Sequence, residues 1–265
     1  MPSLTEITGY ADSHRLFSKS ALWSLFDGDR ETLNIGHECV DRHPREKIAI
    51  HIISAAETQG ITYGELADWS NRFANFLTSK GYPKGARIGL MLEPSLLFYA
   101  SLLGAMKAGY VAVPLFTLFG PDGLRLRIAD CEPVLLLAEE ALVELAGDAV
   151  TTLAASAATM AEIEQHSPEF SPRTAADDMA MYQYTSGTTR ELPEAVKHRH
   201  RAVVTVIIAA LYGTGVRPGD RFCCPSSPAW GHGLWHGTLA PLALGATIAS
   251  YRGKFAAPKP RSRYR

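Results

Sequence analysis

Three short apolar runs, "ARIGLML" (86–92), "YVAVPLF" (110–116) and "PVLLLAE" (133–139), are separated from one another by stretches of helical character. None of them alternates apolar with polar residues, as a strand with one wet face would. Unbroken runs of this length are strands covered on both sides, and strands that alternate with helices build a parallel sheet. The expected fold class is α/β, with parallel-sheet subdomains covered by helices.

The intervening segments fit that expectation. "TYGELADWSNRFANFLTSKG" (62–81) predicts a helix: Thr62 can cap it, Glu65 stands three residues on, and Gly81 closes it. Leu66, Trp69, Phe73, Phe76 and Leu77 share one face of it. "SLLFYASLLGAMKAG" (95–109) and "PDGLRLRIADCE" (121–132) read as further helices. The first of these, with the strand after it, is the most apolar part of the chain. Lys107, two glycines and Pro114 interrupt it, so a buried helix followed by a buried strand is expected, not a membrane span. "KIAIHII" (47–53) and the start of "MAMYQYTSG" (179–187) are further strands, and "HRAVVTVIIAALYGTG" (200–215) is another helix. Residues 1–30 read as a loosely attached N-terminal segment. Residues 31–255 form the main domain, within which the Ala- and Ser-rich stretch 141–178 is weakly structured and partly linker. Residues 256–265, rich in proline and basic residues, are expected to be a disordered tail.

A net charge of -1 lacks the basic excess of a nucleic-acid binder. The four cysteines, Cys39, Cys131, Cys223 and Cys224, form no CxxC pair. Reduced thiols in a cytoplasmic protein are expected, with Cys223 and Cys224 buried and inert. His37, Cys39, Asp41 and His43 alternate, but no second cluster accompanies them and no metal site is expected. The first residues lack a basic start followed by an apolar run, so no secretory signal is expected.

"YTSGTTRELPEAVKHRHR" (184–201) carries the most chemistry. Gly187 can adopt backbone angles closed to other residues, and successive N–H groups in such a turn converge on an anion. Thr185, Ser186, Thr188 and Thr189 add neutral donors, and Arg190 and Lys197 add positive charge. The GxxxxGK[ST] pattern of kinase and GTPase loops is absent. By composition alone the stretch is either a polyphosphate cradle or a polar surface turn.

The word "YTSGTT", followed by a proline and a helix, resembles the phosphate-binding signature of the adenylate-forming (AMP-binding) superfamily, which includes acyl-CoA synthetases. "ITYGELADWSNRFANFL", "GAMKAGYVAVPLF" and "PSSPAWGHGLWHGTLAPLALGATI" resemble other segments of that family, in the same order, and "LNIGHECVDRHP" is similar to the early part of acyl-CoA synthetases in particular. The resemblance implies ATP-dependent activation of a carboxylic acid to an acyl-adenylate and then a thioester, with ATP, Mg2+ and coenzyme A. It places the pyrophosphate among Thr185, Ser186, Gly187, Thr188 and Thr189, with Arg190 and Lys197 as further ATP-site candidates. It also implies that His232 lies near the reacting carboxylate and α-phosphate, as a phosphate donor, a gate of the acyl tunnel or a structural residue of a glycine turn. Trp230, Gly231, Gly233 and Trp235 become candidates for the acyl pocket, the two tryptophans being equally fit for the core.

The chain also departs from the family. Glu194 stands where the family carries a lysine, and one extra residue precedes Pro193. Arg190 and Lys197 either restore the charge or are solvated. The family's later Tyr-Gly-x-Thr-Glu segment, ribose aspartate and catalytic lysine do not occur before Arg265. The expectation is a truncated N-terminal portion, inactive alone. The alternatives are a non-catalytic nucleotide- or acyl-binding fragment, or half of a split enzyme that pairs with a complementing C-terminal chain.

Overall fold

The expected parallel strands are all present, and their unbroken apolar character has the expected cause. The computed structural model describes residues 3–184 and 194–253. Its helices and strands run in the order α1 (Tyr10–Leu16), α2 (Lys19–Trp23), β1 (Ile48–Ile53), β2 (Thr58–Thr62), α3 (Tyr63–Ser79), β3 (Arg87–Met91), α4 (Leu96–Lys107), β4 (Val111–Pro114) and α5 (Pro121–Cys131). There follow β5 (Leu135–Ala138), β6 (Thr152–Ala154), α6 (Ala157–Glu164), β7 (Met179–Gln183), β8 (Val196–Arg199), α7 (Ala202–Ala209), β9 (Arg221–Cys223), α8 (Ala240–Ala243) and β10 (Thr247–Tyr251).

The larger sheet has the order β6-β5-β3-β4-β7-β8, parallel except for β8. Because successive strand residues point to opposite faces, each apolar run feeds two cores. Ile88, Leu90, Ala112, Leu135 and Leu137 enter the main core with Phe73 and Phe76 of α3 and Phe98 and Leu102 of α4. Met91, Val111, Val113, Leu136 and Ala138 enter a second core with Leu124 and Ile128 of α5. A polar residue on either face would be buried without a partner, which is why the runs do not alternate.

Helix α3 begins as its sequence predicts: Glu65 N donates to Thr62 Oγ1 at 3.1 Å, and Thr62 N donates to Glu65 Oε2 at 2.8 Å. Gly104 of α4 lies against α3 so closely that a Cβ there would strike Ser70 O. At the end of α4, Lys107 is fully buried. Its ammonium donates to Asp41 Oδ1 at 2.6 Å, Asn71 Oδ1 at 2.7 Å and Ser70 Oγ at 2.8 Å. The residue that interrupts the apolar stretch therefore holds three chain segments together.

A second sheet, of order β2-β1-β10-β9, stands apart from the expected one. Its centre is the parallel pair β1–β10, with Ile50 opposite Ile248. Strands β2, β6, β8, β9 and β10 have no separate expectation in the sequence, because each is short and is defined by its neighbour in the sheet.

Three expectations change. The stretch 141–178, expected to be weakly structured and partly linker, carries regular elements. It contributes β6, which pairs with β5 (Leu137 opposite Leu153), and α6, whose Ile163 is buried. Beyond α6 the backbone is held by polar side chains of α3. Arg72 Nη1 donates to Glu164 O and, at 2.6 Å, to His166 O, while Asn75 Nδ2 donates to Ser167 O at 2.8 Å. Composition cannot show such long-range ties. In the N-terminal segment, Leu4, Ile7, Leu22 and Phe26 are buried in the main core, and α1, which has no fully buried residue, packs its Leu16 against that core. Cys39 and Cys131 are buried, and burial pushes the Cys131 thiol up to about 11. Cys223, in contrast, is exposed and Cys224 only half-buried, because β9 is an edge strand. Residues 185–193 and 254–265 lie outside the described residues, and with them the hydroxyl-rich turn and the expected tail. Among the described residues no helix is long and apolar enough to cross a membrane.

His200 predicts an acid limit to stability. Its ring is fully buried, and Ile35 N donates to its Nδ1 at 3.1 Å, a contact that requires an unprotonated nitrogen. Burial pulls the imidazole down to about 4, against about 6.5 in an unfolded chain. The folded value is the lower one, so the contribution is complete above pH 6.5 and is lost as pH falls through 4. At 1.36 kcal/mol per pH unit the loss reaches about 3 kcal/mol. His43, drawn down to about 4 by burial and by Arg42, adds a slope of the same sign. In urea titrations between pH 7.5 and 4, His200→Asn is expected to flatten part of the decline. An unchanged slope would show that His200 does not carry it.

Candidate active site

Strand β7 leads toward the hydroxyl-rich stretch 185–189, which lies outside the described residues, and β8 follows it in the chain. The two pair antiparallel, with Gln183 opposite Val196. One carboxylate holds both flanks: Tyr184 Oη donates to Asp130 Oδ2 at 2.6 Å, and Ala195 N donates to the same oxygen at 3.2 Å. Burial and that carboxylate push the Tyr184 hydroxyl well above its ordinary range, which keeps the proton on the phenol. Arg127, one turn before Asp130 on α5, lays its guanidinium over Phe119 at 3.7 Å and over Tyr184 at 5.3 Å. Neither Asp130 nor Arg127 stands out in the sequence, where they read as the polar face of a surface helix. Their value comes from facing the β7 exit.

The segment 230–239 forms the adjoining wall. His232–Leu239 is a π-helix, a wide turn that often marks functional sites. Two glycines allow it to sit where it does. A Cβ on Gly231 would strike the Gln183 amide, and one on Gly233 would strike the carbonyls of Ser226 and Ser227. Trp235 is buried and donates from Nε1 to Gln183 Oε1 at 3.0 Å. Gln183, buried at the end of β7, thus joins the strand that leads to the hydroxyl-rich turn with the helix that carries His232.

Between this helix and α7 lies a cavity of about 560 Å³. Gly231, His232 and Trp235, three of the residues singled out in the sequence, line it. His198, Ala202, Thr205, Val206 and His236 complete the lining and were not anticipated. The spacing of His232 and His236, one helical turn, is a sequence signal that could have found the latter but was not used. Their rings lie 5.1 Å apart at 30°. His198 meets Trp235 edge-on at 4.8 Å. Burial lowers His198 and His236 below the ordinary imidazole value, and the neighbouring His232 adds to the effect at His236.

Other expected site residues lie elsewhere. Lys197 occupies the opposite face of β8 from His198, exposed, with its ammonium 5.2 Å from the Tyr182 ring. Trp230 packs on Phe116 at 5.2 Å and on Phe119 at 6.4 Å, beside the cavity and not in its lining. Gly233 is buried behind the wall. Thr185, Ser186, Gly187, Thr188, Thr189 and Arg190 fall outside the described residues. A larger cavity, about 1240 Å³, surrounds His37, Asp41 and Asn71. His37 there is raised by its hydrogen bond to Asp41, while Cys39 turns away, its Sγ 3.3 Å from Leu239 O. That arrangement is a polar tie around Lys107, and its lining shares no residue with the cavity beside the π-helix.

The model of the AMP-binding enzyme family matches residues 37–263. The chain belongs to the AMP-binding enzyme family. Among curated relatives, acetyl-coenzyme A synthetase of Bacillus subtilis (strain 168) is 28% identical over 84% of this chain and 42% of its own length. The 3-hydroxybenzoate–CoA ligase of Aromatoleum sp. (strain CIB) is 33% identical over 72% of this chain and 39% of its own. The crystal structure of Brucella canis acyl-CoA synthetase superposes with a TM-score of 0.86 at 26% identity, covering 95% of this chain and 49% of that one. This AMP-binding chain therefore spans about two fifths to half the length of the relatives it matches. Its two sheets and their helices are the α/β fold of the N-terminal part of acyl-CoA synthetases.

Proposed function

We propose that this chain forms the phosphate- and acyl-binding side of an AMP-forming acyl-CoA synthetase. The Gln183 junction carries the reading. It brings the exit of β7, where the turn 185–189 begins, against the π-helix wall of the 560 Å³ cavity. Two halves of a reaction centre, a polyphosphate cradle and an acid pocket, would then meet at one buried amide. In the proposed reaction an oxygen of the carboxylate attacks the α-phosphorus of ATP, and pyrophosphate leaves. The thiol of coenzyme A then attacks the acyl carbon and AMP departs. Charge collects on the leaving pyrophosphate, where preorganised donors are most effective. Thr185, Ser186, Gly187, Thr188 and Thr189 would supply them, with Arg190 as a further cation. His232, exposed at the cavity mouth, would donate to the α-phosphate. Lys197, drawn to Tyr182, would act on ATP only after leaving that ring. Magnesium would arrive on the ATP phosphates; among the described residues no group of three His, Cys, Asp or Glu side chains converges to hold it.

The relatives' names span acetate and 3-hydroxybenzoate, so the family alone leaves the acid open. The test supplies ATP, magnesium and a panel of aliphatic and aromatic acids, and follows acid-dependent ATP–pyrophosphate exchange. It uses the chain alone and the chain extended by the C-terminal portion of the Brucella canis enzyme. Exchange is expected in the extended protein and little or none in the chain alone. Absence of both exchange and nucleotide binding in the extended protein would overturn the reading.

A further inference from the structure

The cavity beside the π-helix is built for a narrower class of acid than the family name implies. Its lining holds three imidazoles and one hydroxyl, from His198, His232, His236 and Thr205, against only Ala202, Val206 and Trp235 as apolar side chains. A long alkyl chain wants a continuous apolar sleeve, and here the apolar surface is interrupted by three imidazoles and a hydroxyl. Among the described residues the lining contains no lysine or arginine. A second carboxylate would therefore be buried without a counter-charge, a costly arrangement.

What the cavity does offer is flat faces and neutral hydrogen-bonding edges. The His198–Trp235 pair and the tilted His232–His236 pair present four aromatic rings. Such rings favour stacked or edge-on contact with another ring. Among the described residues, neither His232 nor His236 has a side-chain hydrogen bond. A neutral imidazole edge is a donor or an acceptor according to its tautomer. A hydroxyl satisfies either form, whereas a carboxylate can only accept. Of the two, His236 is the half-buried one, deeper than the exposed His232.

Resting on the acid-activating reading above, we propose that the cavity selects a compact aromatic carboxylic acid carrying a ring hydroxyl, with His236 as the residue that recognises the hydroxyl. The carboxylate lies toward the β7 exit and the ring between the two aromatic pairs.

The experiment measures binding of hydroxybenzoic, benzoic, hexanoic and glutaric acids to the 265-residue chain by saturation-transfer NMR, and repeats the panel as acid-dependent exchange in the extended protein. Hydroxybenzoic acid is expected to bind about tenfold more tightly than benzoic acid, the value of one well-made neutral hydrogen bond. His236→Leu is expected to bring that ratio close to one while leaving benzoic acid bound, and His236→Gln, which keeps a donor and an acceptor, to retain much of it. A merely structural His236 would weaken both acids together. Preference for hexanoic or glutaric acid, or an unchanged ratio in His236→Leu, overturns the inference while acid activation stands. Failure of every acid in both proteins overturns acid activation and the inference with it.

Discussion

Lys107→Ala is expected to destabilise the protein by about 3–5 kcal/mol, the usual cost of removing one member of a buried charge pair. The lysine is fully buried, and its ammonium is the shared donor to Asp41, Ser70 and Asn71. Removing it leaves a mostly buried carboxylate short of its cation and two side-chain oxygens without their donor. It also opens space against Gly36, whose own Cβ would touch the Lys107 stem. Burial pulls Lys107 below the ordinary lysine value, while Asp41 opposes that shift. The ammonium is thus retained because of the carboxylate. Urea unfolding of Lys107→Ala, Asp41→Asn and the double variant checks this. The double variant is expected to cost much less than the two single changes added together. A loss under about 1 kcal/mol for Lys107→Ala would mean that the site rehydrates and that the tie is worth no more than a surface pair.

Thr188→Ala combined with Gly187→Val is expected to lower acid-dependent pyrophosphate exchange by a factor of roughly 10²–10³ in the extended protein. Removing one preorganised oxyanion donor typically costs about 2.7–4 kcal/mol of transition-state stabilisation. The valine would in addition disfavour a glycine-specific turn. Folding should be little affected, because the flanks of the turn are fixed independently through Asp130, Tyr184 and Ala195. Measured stability therefore separates loss of the cradle from loss of the fold. An unchanged exchange rate in a folded double variant would remove the turn from the phosphate site.

The features legible in the sequence were those whose causes are local. The α3 start was readable because Thr62 and Glu65 satisfy each other's backbone within four residues. The strands β3, β4 and β5 were readable because burial on two faces leaves an unbroken apolar run. The family was readable because its motifs are contiguous words of the sequence, which the family match over residues 37–263 bears out. Tertiary structure decided the rest, through contacts that no window of sequence contains. The pairing of β1 with β10 joins residues about two hundred apart, so β1 was readable as a strand but its partner in the second sheet was not. Stretch 165–170 looked like linker because what orders it is the side chains of Arg72, Asn71 and Asn75 on another element. Lys107 looked like an interruption in an apolar helix until Asp41, Ser70 and Asn71 closed around it. Gln183 and Asp130 carried no signal at all, since a buried amide or carboxylate acquires its role only from what the fold sets within hydrogen-bonding distance.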